Sequence, residues 1–157
     1  MKPGTTRSVR RIIACSVLAV LGGLTQTAQA RECNLSSVAG QYGYTSNGSI
    51  VLPASGPFAA VGHVTLTRTA TFTGAQTTSV FGNIFAETVN GTYEVNRDCT
   101  GSATVYVYRG TQLVRTSVIN LVWDDNQKEF RAIFTTTGTG ITLNGRKMFS
   151  SDDEDDD

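Results

Sequence analysis

The sequence predicts an all-β domain: a single antiparallel up-and-down barrel of about eight strands, with a two-sheet β-sandwich as the alternative. Three observations carry this prediction. After residue 30, apolar residues alternate with polar ones and nowhere recur at helical spacing for three turns. The alternating runs are rich in Thr, Val, Phe and Tyr, the β-branched and aromatic types that suit a pleated surface. Sixteen glycines against three prolines fit many short strands joined by turns.

The first element, residues 1–30, is not part of that domain. Lys2, Arg7, Arg10 and Arg11 precede an apolar run over 12–24, which ends in Ala28-Gln29-Ala30. A basic start, a short apolar centre and a small-residue end form the pattern of a secretory signal peptide, with cleavage expected after Ala30. The run is shorter than the roughly 20 residues a spanning helix needs, and no second one follows, so no integral membrane segment is expected in the mature chain. Cys15 leaves with the leader, and Cys33 and Cys99 remain. In the oxidising setting of an exported protein, periplasmic or extracellular, the pair reads as a disulfide, worth about 4 kcal/mol by the chain-entropy argument.

The second element, residues 31–149, is the barrel domain. Strands are expected at about 38–44, 60–73, 77–86, 91–97, 102–108, 112–123, 129–135 and 141–149. Turn signals separate them: Ser46-Asn47-Gly48, Thr73-Gly74, Asn90-Gly91, Cys99-Thr100-Gly101, Arg109-Gly110, Asp124-Asp125-Asn126 and Gly138-Thr139-Gly140. Short connections make sequential strands antiparallel neighbours, and closure removes edges that no lysine or proline protects. In such a meander Cys33, before the first strand, and Cys99, after the fourth, fall at the same end. The bridge therefore pulls the N-terminal segment across the barrel bottom as a plug. The longest connection, TSNGSIVLPASGPFA over 45–59, carries Ile50, Val51, Leu52 and Phe58 and reads as a lid over the opposite mouth, with packing onto the outer wall as the alternative.

The third element, residues 150–157, holds six acids and reads as a disordered, self-repelling tail. Leader and tail together mask the charge of the body, which carries nine basic against seven acidic residues. That balance excludes a nucleic-acid surface.

Catalytic chemistry is poorly supplied. His63 is the single histidine, and the chain has no metal-ligand spacing, no G-x-S-x-G and no glycine-rich phosphate loop. No metal, cofactor or catalytic residue is therefore assigned. Asp98 reads as a cap of the Cys99 turn, and Glu87 and Glu94, flanking Asn90-Gly91, as surface acids. The threonine row Thr65, Thr67, Thr69, Thr71 and Thr73 could be an ice-ordering array, but a twisted barrel holds no flat surface. A solvent-facing strand explains the row at lower cost.

The interior is more informative. Arg68 shares the phase of Leu66, Ala70 and Phe72, and Arg115 that of Leu113, Ile119, Leu121 and Trp123. If these phases face inward, each arginine needs a carboxylate or a bound anion; the alternative is a rim position from which it reaches water. The candidate ligand-binding residues are Arg68, Phe72, Tyr106, Tyr108, Arg115, Trp123 and Phe134.

The run Gly91-Thr92-Tyr93-Glu94-Val95-Asn96-Arg97-Asp98-Cys99-Thr100-Gly101, with Phe58-Ala59-Ala60-Val61-Gly62 upstream, resembles a group of uncharacterised secreted bacterial proteins. At the level of fold the chain is similar to calycin-type and allene-oxide-cyclase-like small barrels. Where lipocalins carry G-x-W near the first strand, Gly40-Gln41-Tyr42 stands here, so no binding residue transfers. The resemblance implies export and a barrel, and no activity.

Three functional readings follow. The first is an exported barrel that takes a small hydrophobic or amphipathic molecule through its top. The second is a cyclase- or isomerase-type enzyme using Arg68, Arg115, Tyr106 or Tyr108 as polar contacts. A filled-core interaction module is the third.

Overall fold

Eight antiparallel strands pair in sequence order, and the last returns to the first to close a barrel. The computed structural model describes residues 32–53 and 55–148; the expected leader and acidic tail lie outside the described residues. A short helix α1 (Leu35–Val38) precedes the strands β1 (Gly40–Ile50), β2 (Gly56–Leu66), β3 (Thr71–Val80), β4 (Asn83–Val95), β5 (Thr100–Arg109), β6 (Gln112–Asp124), β7 (Glu129–Phe134) and β8 (Thr139–Lys147). No helix among the described residues is long and apolar enough to cross a membrane.

Strand number and class agree with the sequence; several boundaries do not. Asn47 and Gly48 lie inside β1, which pairs with β2 from Gly40↔Leu66 to Ile50↔Gly56. The expected lid over 45–59 is therefore strand, and only the connection at 51–55 remains. The expected turns at Thr73-Gly74 and Asn90-Gly91 are also strand interior, in β3 and β4. Their glycines serve close packing instead. A Cβ on Gly74 would sit 2.0 Å from the His63 carbonyl oxygen, and one on Gly91 would sit 1.9 Å from that of Thr104 and 2.8 Å from the Phe72 ring.

The real β2–β3 turn spans 67–70 and contains no glycine; Ala70 takes the left-handed conformation at φ 62°. Its threonines make it possible. Thr67 Oγ1 lies 2.9 Å from Thr69 Oγ1 and 2.8 Å from Thr71 Oγ1, and it donates to the Thr71 carbonyl at 3.0 Å. The threonine row thus folds back on itself as a hairpin, with Thr65 paired to Thr73.

The bottom is sealed as expected. Cys33 and Cys99 are bonded, 66 residues apart in sequence, and the Cys33 amide donates to the Arg97 carbonyl at 3.2 Å. Asn34 caps α1, its side chain accepting from the Ser37 amide at 3.0 Å while Ser37 Oγ accepts from the Asn34 amide at 3.0 Å. The helix drops Val38 into the barrel, fully buried. Beneath it the Tyr42 hydroxyl shares its proton between the carbonyls of Val38, at 2.8 Å, and Gln127, at 3.0 Å. Asp98 caps the cysteine turn, accepting from Thr100 N at 3.1 Å and Thr100 Oγ1 at 2.7 Å.

Above the plug the inward faces of all eight strands supply one core, from Leu66, Phe72, Tyr93, Trp123 and Phe130 among others. A second, smaller cluster of Phe58, Ala60 and Ile141 lies at the top. An eight-strand ring is just wide enough for side chains to fill it or to leave room for one small ligand.

Candidate functional site

Between the two clusters the filling is incomplete. The space open to water centres amounts to about 70 Å³, bounded by apolar side chains such as Leu66, Phe72, Val89, Val107 and Phe130. Phe58 and Phe134, with ring centroids 6.4 Å apart and edge to face, stand on its upper side. Side chains rather than a loop lid guard the mouth.

The upper edge of this cavity is polar, and the pairing register explains how. Tyr44, Gly62, Gln76 and Glu87 are successive cross-strand neighbours on β1 to β4. Gly62 has no room for a side chain, because a Cβ there would lie 2.8 Å from that of Gln76. Across this gap the Tyr44 hydroxyl donates to Gln76 Oε1 at 2.7 Å, and Gln76 Nε2 donates to Glu87 Oε2 at 2.7 Å. Thr78 Oγ1 donates to the same oxygen at 2.8 Å. Arg109, on the next strand, donates from Nε to Glu87 Oε1 at 2.9 Å, and its Nη2 stands 2.9 Å from the same oxygen as an ion pair. Arg115 Nη2 stands 3.5 Å from Glu87 Oε2.

Glu87 is therefore a buried anion rather than the surface acid its sequence position suggested; its side chain exposes nothing to solvent. Burial alone would raise its pKa. Hydrogen bonds from Thr78 and Gln76, the Arg115 charge and the Arg109 hydrogen bond outweigh that and hold it below the usual carboxylate value. Glu94, on the opposite face of β4, is exposed. Desolvation lowers the Arg115 pKa and Arg109 adds to the effect, partly offset by Glu87; a guanidinium nevertheless stays charged. Burial likewise raises the Tyr44 hydroxyl, keeping it protonated.

Three buried polar atoms of cavity-lining residues have no hydrogen-bond partner: Ser46 Oγ, Arg115 Nε and Trp123 Nε1. Ser46 is 2% exposed. Buried polar groups are rarely left unpaired, since each costs about 1–3 kcal/mol.

Of the residues named from sequence, Phe72, Arg115, Trp123 and Phe134 line the cavity together. Arg68 does not. It lies exposed in the β2–β3 turn, because β2 ends at Leu66 and the expected phase stops with it. Tyr106 and Tyr108 alternate with the cavity-lining Val105 and Val107 and so face outward. Leu113 also leaves the phase of Arg115. A β-bulge pairs Val107 with Arg115 and Tyr108 with Leu113, so Val114 is the extra residue and Leu113 is 48% exposed.

Sequence reading missed Tyr44, Ser46, Gln76, Thr78, Glu87 and Arg109. Its demand for a carboxylate beside any inward arginine was the signal that could have found Glu87, had the unbroken run of β4 been recognised. No protein-family model, curated protein or solved structure matches the chain.

Proposed function

We propose that this protein is an exported binding barrel that takes one small hydrophobic or amphipathic molecule into its interior, with no catalysis required. One observation carries the reading: a partly empty apolar cavity with a polar cluster at its upper edge and unpaired polar atoms on its wall. That combination is what a small-molecule site requires, apolar walls for affinity and a few fixed polar groups for orientation. Export is supported by the Cys33–Cys99 bond, which is compatible with an oxidising compartment, and by the leader-like first 30 residues. The groups at the cavity edge favour holding over proton transfer. Glu87 is fixed as an anion by its hydrogen bonds, and Tyr44 is held in its protonated form.

Native mass spectrometry of the unreduced mature protein, followed by organic extraction, tests this reading. A reproducible small-molecule adduct released by extraction supports it. In parallel, Trp123, the only tryptophan, lies against the cavity and reports occupancy by its emission. A barrel with no adduct, whose emission and melting temperature ignore a panel of short-chain and aromatic amphiphiles, overturns it.

A further inference from the structure

The charge around Glu87 does not balance, and the imbalance faces the cavity. One carboxylate stands among two guanidiniums, which leaves one positive charge. An ionised carboxylate offers about four acceptor positions. Here Gln76, Thr78 and the two Arg109 nitrogens provide four contacts at 2.7–2.9 Å. Arg115 is left at 3.5 Å with a buried, unpartnered Nε. Both guanidiniums lie over aromatic rings, Arg109 with its guanidinium carbon 3.4 Å from the centre of the Phe85 ring and Arg115 at 5.5 Å from that of Phe58, but only Arg109 makes short Glu87 contacts. The excess charge therefore belongs to Arg115, which lines the cavity. Ser46, also on the cavity wall, brings a second unpartnered donor.

Volume sets the rest of the ligand. By the room one water needs, 70 Å³ of water-centre space holds roughly five to seven waters, on the order of 150–200 Å³ of liquid. That is below the roughly 300–1,000 Å³ of a drug-sized site, and it suits a molecule of about ten non-hydrogen atoms.

We infer that the ligand is a small monocarboxylate whose headgroup seats against Arg115 and Ser46 and whose apolar body fills the cavity below. This assignment rests on the binding reading above and narrows it to one chemical class. A carboxylate matches the planar fork of a guanidinium, and a single negative charge neutralises the cluster. The Tyr44 hydroxyl spends its one proton on Gln76 Oε1, so the donors left for the headgroup are those of Arg115 and Ser46.

A matched series separates this inference from the reading it rests on. Octanoate, octan-1-ol and octylamine are titrated into the unreduced protein at neutral pH, followed by calorimetry and Trp123 emission. Octanoate is expected to bind at least tenfold more tightly than octan-1-ol, and octylamine not at all. Arg115→Gln is expected to erase the preference for the acid, and Ser46→Ala to reduce it several-fold, in keeping with one lost charge-assisted hydrogen bond. Ser46 takes part in no ion pair, so its variant keeps the test open if Arg115→Gln fails to fold. Equal binding of acid and alcohol, or tighter binding of the amine, overturns the carboxylate seat while leaving the cavity reading intact. Binding of none of the three, with Trp123 emission unmoved, overturns both.

Discussion

The two ends of the barrel solve opposite problems with the same kind of strand. At the bottom a covalent bond, a capped helical turn and a buried tyrosine hydroxyl leave nothing open. Solvent-facing ion pairs surround that end, Arg131 with Asp124 and Arg146 with Glu129. At the top the exposed turns and strand ends carry Leu52, Phe81, Ile84 and Leu113, apolar and unpaired. The charges described there, Glu87, Arg109 and Arg115, turn inward to one another. The covalent bond and the capped turn lie where the chain begins its barrel, and the inward charge cluster lies where the cavity opens; unpaired buried polar atoms occur at both ends, Ser46 Oγ and Arg115 Nε above, Trp123 Nε1 and Asp124 Oδ1 below. Under the binding reading proposed above, the closed end holds the scaffold rigid and the open end receives the ligand.

Breaking the bottom should have the largest effect. The double variant Cys33→Ser, Cys99→Ser is expected to lose about 4 kcal/mol of unfolding free energy, read from urea denaturation of unreduced samples. Equal stability of variant and parent would show that the plug holds without its bond. Breaking the top comes next. Glu87→Ala leaves two guanidiniums without their carboxylate and is expected to cost about 3 kcal/mol. A loss under 1 kcal/mol would mean that water already solvates the cluster.

Tyr42→Phe leaves two plug carbonyls without their donor and should cost about 1–2 kcal/mol, with ligand binding at the far end unchanged. The same comparison has a pH dependence. Glu87 has a depressed pKa in the barrel. Between that value and the ordinary carboxylate pKa the unfolded chain binds a proton that the barrel does not, so stability falls as pH drops through this window. Melting curves of Glu87→Gln against the parent should show a shallower acid loss in the variant. The smallest effect is a gain. Ala103→Leu adds apolar volume on the cavity wall and is expected to raise stability by about 1 kcal/mol while abolishing ligand binding. Destabilisation would show that the cavity cannot accept the added carbons.

The bottom was legible in the sequence and the top was not, for a physical reason. Parity of turns locates Cys33 and Cys99 at one end whatever the strand limits, so errors at Thr73-Gly74 and Asn90-Gly91 did not disturb it. The inward or outward direction of one side chain depends on every residue between it and a known reference. Arg68 was misplaced because β2 ends at Leu66, seven residues before the expected end at 73, and Leu113 because Val114 is an unpaired extra residue. Tyr106 and Tyr108 were chosen for their chemistry without a phase. Phe72, Arg115, Trp123 and Phe134 do line the cavity: Arg115 and Trp123 lie on the same side of the bulge, and Phe72 keeps an inward direction on β3 although its expected strand breaks at the 67–70 turn. Glycine caused the deepest misreading. Gly74 and Gly91 signal turns by composition, yet here each marks a place where a neighbour crosses the strand too closely for any side chain.

Closure of the ring joins β1 to β8, the first and last strands to leave the ribosome, through nine residue pairs from Tyr42↔Lys147 to Ile50↔Thr139. Every other pairing is a local hairpin that can zip as soon as its second strand appears. During synthesis the molecule is consequently an open ribbon with two bare edges, and it has no interior until its final strand arrives. Whatever occupies the cavity must enter after that moment by parting the mouth, or be wrapped in by the closing seam itself.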